Sequence, residues 1–180
     1  MPDFLYFYFM KLTGILLFFL GMNVLAQTSD FPESWEGNWK GELTIYNSKS
    51  VEPSMKIPME LEIQPKNDSV WKWEIRYMTE KPDVRSYELI KDAKANSWKI
   101  DEKNGIILPQ TFLENRMVSS FSLEKILLIA SYWLENNRMN FEIIITNSEP
   151  ETSTGLGNED SPIVGNHKLN GYHRAVLTKE

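Results

Sequence analysis

The chain has 180 residues, with 25 Asp and Glu against 19 Lys and Arg, a formal net charge of −6 and no cysteine. Without Cys there is no disulfide, no thiol nucleophile, no thiolate metal site and no lipid-modified cysteine anchor. The acidic balance and the lack of any Lys/Arg cluster argue against nucleic acid or an anionic membrane as a partner.

The N-terminus speaks first about destination. Met10 and Lys11 make a short basic start, Ile15 to Leu20 are all apolar, and Val24-Leu25-Ala26 place small or apolar residues before Gln27. That layout predicts a secretory signal peptide over 1–26, cut after Ala26, and a secreted or periplasmic product. Asp3 is foreign to such a segment, so translation is expected to start at Met10. A start at Met1 leaves an apolar stretch from Phe4 to Ala26. That is long enough, at roughly 20 residues, to hold the chain to a membrane as an uncleaved anchor.

From residue 27 to 180 one domain is expected, and its period is two. Met55 to Gln64 alternates, with every odd position apolar; Trp71-Lys72-Trp73-Glu74-Ile75-Arg76-Tyr77 does so completely, and Met139 to Ile145 with one exception. Successive side chains of a strand point to opposite faces, so each run buries one face and wets the other. Ten strands are predicted: 36–46, 54–64, 69–79, 84–92, 96–101, 105–110, 116–122, 125–134, 138–147 and 171–178. Pro65-Lys66-Asn67-Asp68, Lys103-Asn104-Gly105 and Glu135-Asn136-Asn137-Arg138 read as hairpin turns. The expected fold is an all-β antiparallel meander of about eight to ten strands, closed into a barrel or strongly bent. The run 125–134 is apolar on both faces, so its outer face either lies under another element or is a contact surface. Ser148 to Gly171, rich in Gly, Ser and Asn, shows no period and reads as a long flexible loop.

One constellation resembles a known family. In Trp35-Glu36-Gly37-Asn38-Trp39-Lys40-Gly41, the Gly-x-Trp at the start of the first strand resembles the signature of lipocalins and the wider calycin barrels. The longer pattern resembles small secreted bacterial proteins of that type with no assigned activity. The resemblance implies that Trp39 closes one end of a barrel, with Gly37 letting backbones approach and a late-strand cation, Arg174, packing across the indole. The helix and disulfide of classical lipocalins are missing. Fatty-acid-binding barrels insert two helices where Asn47 to Ser50 make only a short turn. His173, with His167 before it, stands where nitrobindin-like barrels hold haem, but their Gly-rich first strand is not matched beyond Gly41, so no cofactor is expected.

Nothing in the chain reads as an active site, and an enzyme is not expected. Two His residues six apart do not make a zinc or Ser-His-Asp site. Glu149, Glu151, Glu159 and Asp160 lack the spacing of a calcium loop, so no metal is expected. If the odd-numbered face is the inner one throughout, Trp39, Trp71, Trp73, Tyr77, Trp133 and Phe141 share the interior. The expected function is binding of a small apolar ligand, with Trp73, Tyr77, Trp133 and Phe141 as walls. The alternative is a module with a filled core that docks on an envelope protein through 125–134.

Overall fold

The computed structural model describes residues 30–94 and 96–180; the signal peptide expected over 1–26 lies outside them. A single 3-10 turn, Glu33–Trp35, leads into strands β1 (Gly37–Asn47), β2 (Met55–Asn67), β3 (Val70–Tyr77), β4 (Asp83–Lys91), β5 (Ser97–Asp101) and β6 (Ile107–Leu113). Then follow β7 (Arg116–Leu123), β8 (Ile126–Glu135), β9 (Arg138–Asn147), β10 (Thr152–Thr154), β11 (Val164–Asn166) and β12 (Leu169–Lys179). Ten of them form a closed antiparallel barrel in the order β1-β12-β9-β8-β7-β6-β5-β4-β3-β2, a meander that β12 seals against β1. Closure leaves no free sheet edge in the barrel, which accounts for how so many long strands coexist in one domain.

The turns follow from local side chains. Asn67 Oδ1 accepts the Ser69 N–H at 3.0 Å and Asn104 Oδ1 accepts the Ile106 N–H at 2.9 Å, both Asx-type turns. Asn136 and Asn137 take φ of 51° and 58°, the left-handed pair that a tight hairpin needs and Asn tolerates. The segment after β9 carries structure of its own: β10 and β11 pair as a small separate hairpin.

Two-residue hairpins decide which face is inside. Leu113 pairs with Arg116, Leu123 with Ile126 and Glu135 with Arg138, and each such turn exchanges odd for even on the inner face. The β4–β5 register does the same, pairing Leu89 with Ile100. Odd positions therefore face inward on β1–β4, β7, β9 and β12, and even positions on β5, β6 and β8. The buried core obeys this: Trp39, Leu61, Trp73, Leu89, Trp98, Met117, Tyr132, Phe141 and Leu177 are all nearly inaccessible.

Candidate functional site

One end of the barrel is shut by aromatic side chains. The 3-10 turn folds Phe31 and Trp35 under the barrel, where Phe31 stacks on Phe112 at 4.1 Å and meets Trp35 and Trp98 edge-on at 4.7 and 4.9 Å. Trp39 donates its indole N–H to the Trp35 carbonyl at 2.8 Å, and Trp71 donates to Glu36 Oε1 at 3.0 Å. A buried indole N–H is costly unless it finds an acceptor; here both do. The cation over Trp39 is Lys179, 5.4 Å from the ring centroid. Arg174, the residue expected there, lies across from Thr44 and Glu142 on the outer face. The correction has a simple cause: Arg174 is even-numbered on a strand whose odd positions face inward.

Above this plug lies a cavity of about 390 Å³, lined on its deeper walls by Trp73, Tyr132 and Phe141 and higher up by Tyr77, Leu128 and Ile143. Trp73 meets Tyr132 edge-on at 5.0 Å, and Tyr132 stacks on Phe141 at 4.5 Å. Of the four residues expected as walls, Trp73, Tyr77 and Phe141 line this space. Trp133 does not. It sits on the outer face, where the Arg116 guanidinium covers its ring at 4.1 Å, because the β4–β5 connection and the two-residue turns before β7 and β8 together put the even face of β8 inside. A second depression, about 530 Å³, lies at the closed end over Phe31, Trp98 and Phe112 with Lys91, Lys94 and Glu114 around it. It is outside the barrel, whereas the first is walled by strands and falls in the size range of small-ligand sites.

Polar groups enter the cavity sparingly. Ser119 donates to the Pro109 carbonyl at 2.8 Å, and Gln110 Nε2 donates to the Leu108 carbonyl at 3.1 Å. Burial pushes the Tyr77 phenol up to about 12 and holds Tyr132 well above the usual phenol range, so both are neutral donors at any physiological pH. Arg85 stands at the mouth, bound to Asp83 at 2.7 and 2.9 Å, with Glu102 also in the lining. His173 also faces inward, paired with Ile45 and Ile143; burial lowers its pKa. No group of three or more His, Cys, Asp or Glu side chains able to hold a metal occurs among the described residues.

The mouth itself is apolar at its rim. Val51, Met55, Met78, Val84, Ile106, Ile107, Leu123 and Leu169 are exposed at the open end, against Leu113 alone at the closed one among the described residues. Large apolar side chains exposed at one end of a barrel suit a contact or passage site better than scattered ones do.

No family model and no curated protein sequence matches the chain. Solved structures do. A protein of unknown function of the DUF3598 family from Nostoc punctiforme is 12% identical, with a TM-score of 0.56 over 82% of this chain and 48% of that one. The chain thus spans about half the length of that relative. The S-type phycobiliprotein lyase CPES from Guillardia theta is 10% identical, with a TM-score of 0.53 over 82% of this chain and 89% of that one. What the chain shares with them is the fold, a closed antiparallel β-barrel. At such identities the likeness concerns the fold alone. It still corrects one expectation: a lyase is built on a barrel of this shape, so the absence of a recognisable catalytic motif does not make the chain a non-enzyme.

Sequence reasoning missed Tyr132, Gln110, Ser119, Arg85 and Lys179. The signal for Tyr132 was present: counting residues through the Asn136-Asn137 turn puts it beside Phe141 and turns Trp133 outward.

Proposed function

We propose that the protein binds a small, mainly apolar molecule inside the barrel, in an extracytoplasmic compartment. The observation that carries the reading is the cavity of about 390 Å³ above an aromatic plug, walled by Trp73, Tyr132 and Phe141. A cavity of this kind, apolar with a few oriented polar groups, is what small-molecule sites are made of. The apolar rim and the signal-like residues 10–26 fit an apolar ligand met outside the cytoplasm. The cavity favours this reading over the docking alternative, which depended on a filled core.

The test uses N-phenyl-1-naphthylamine, a neutral fluorescent probe, titrated against the purified protein. The expected result is saturable one-to-one binding that quenches tryptophan fluorescence and is lost in Ala130→Phe, which fills the cavity. Absence of saturable binding, or binding that Ala130→Phe leaves intact while its thermal midpoint matches wild type, overturns the reading.

A further inference from the structure

Building on that ligand-binding reading, we infer that the cavity takes an uncharged molecule carrying a hydrogen-bond acceptor oxygen, of the ketone, quinone or amide kind, in preference to a carboxylate. Among the described residues no fully buried side-chain polar atom lacks a hydrogen-bond partner. An unpartnered side-chain polar atom among these residues therefore reaches either the solvent or the cavity, and inside the barrel it is the cavity-lining groups that have capacity to spare. The clearest is Tyr132. It lines the cavity and is 9% exposed; the Trp73 ring meets it edge-on at 5.0 Å, and its hydroxyl makes no hydrogen bond to another described residue. An indole N–H donates and cannot accept, so Trp73 offers the phenol proton nothing, and among the described residues that proton is left for a ligand. Gln110 uses one of its two amide protons on the Leu108 carbonyl, which leaves the other.

These donors are neutral, and they sit among Trp73, Ile75, Phe141 and Ile143. An ionised carboxylate brought to this depth would lose its hydration with no cation to receive it. The single cation in the lining is Arg85. Its guanidinium is already bound to Asp83, and Glu102 shares the mouth. A ligand carboxylate there would meet two carboxylates and one neutralised arginine. A carbonyl oxygen avoids both costs: it accepts the Tyr132 proton, and the rest of the molecule stays against aromatic rings.

The experiment compares three probes of equal length by calorimetry: hexanophenone, hexylbenzene and 6-phenylhexanoate. Wild type is expected to bind the ketone, with the carboxylate weakest of the three. Tyr132→Phe is expected to weaken hexanophenone about tenfold, the worth of one buried hydrogen bond, and to leave hexylbenzene within about twofold. Tyr132→Phe keeps the ring and its stacking, and an unchanged thermal midpoint checks the fold. Equal shifts for ketone and hydrocarbon, or tightest binding of 6-phenylhexanoate, overturn this inference while the binding reading stands. If none of the three probes binds and N-phenyl-1-naphthylamine does not either, the binding reading itself falls, and this inference with it.

Discussion

Lys179 lies over the Trp39 indole, 5.4 Å from its centroid, and the register pairs the two residues across β1 and β12. The contact sits at the seam where the last strand closes the barrel on the first. A Cβ added to Gly37 would lie 2.4 Å from Lys179 Cε, and Gly37 has a φ of +133° that favours glycine. The glycine of the Gly-x-Trp motif thus makes room for the cation that covers its tryptophan.

Truncating that cation should cost little but measurably. Lys179→Ala is expected to lower stability by about 0.5–1 kcal/mol, the range for an exposed cation–π contact. Arg174→Ala should stay within about 0.5 kcal/mol, as surface changes do. Urea unfolding read by tryptophan fluorescence distinguishes them, and equal losses would mean that Lys179 does not stabilise through Trp39.

Removing the plug should cost far more. Trp35 is 1% exposed, and its carbonyl accepts the Trp39 indole N–H. Trp35→Ala is expected to destabilise by about 3–5 kcal/mol, the range for deleting a buried indole. A loss under about 1 kcal/mol would show that the 3-10 turn is not part of the core.

The placement of Trp133 on the outer face is directly testable. Trp133→Ala should leave the affinity for N-phenyl-1-naphthylamine within about twofold of wild type, because its ring packs under Arg116 outside the barrel. A severalfold loss with the thermal midpoint maintained would return Trp133 to the ligand wall.

The outer face of β2–β4 predicts an acid-sensitive stability. Glu74 is buried among Arg76, Lys72 and Ser86, with Lys72 in turn bound to Glu62 at 2.8 Å. Burial alone would raise the Glu74 pKa. The Ser86 hydrogen bond and the Arg76 and Lys72 charges outweigh it and bring the pKa below its ordinary 4.5. A carboxylate with a depressed folded pKa stabilises above its unfolded pKa and loses that contribution as pH falls through the folded value. Stability should therefore drop as pH falls from about 4.5 through the lowered folded value, and Glu74→Gln should make that drop shallower. Glu88 and Asp92, lowered by Lys103 with Lys66 and by Lys99 respectively, keep part of the slope in the variant. An unchanged acid limb in Glu74→Gln would remove this carboxylate from the account.

Much of the architecture was written locally. The alternation in Trp71 to Tyr77 and Met55 to Gln64 makes strands because a period of two puts one apolar face on a sheet, and Asn136-Asn137 makes a hairpin because Asn accepts positive φ. Ten strands in nearly the expected places follow from such signals. Which side of each strand is inside is another matter. It depends on the sum of all turn lengths before it, so three changes of parity between β4 and β8 send Tyr132 inward and Trp133 out. Closure decided the rest. Lys179 meets Trp39 because the chain's last strand zips onto its first, a contact between residues 140 positions apart that no local pattern encodes. The cavity likewise exists because side chains from separate strands fall short of filling the barrel centre, a balance of volumes set only when all ten strands are in register.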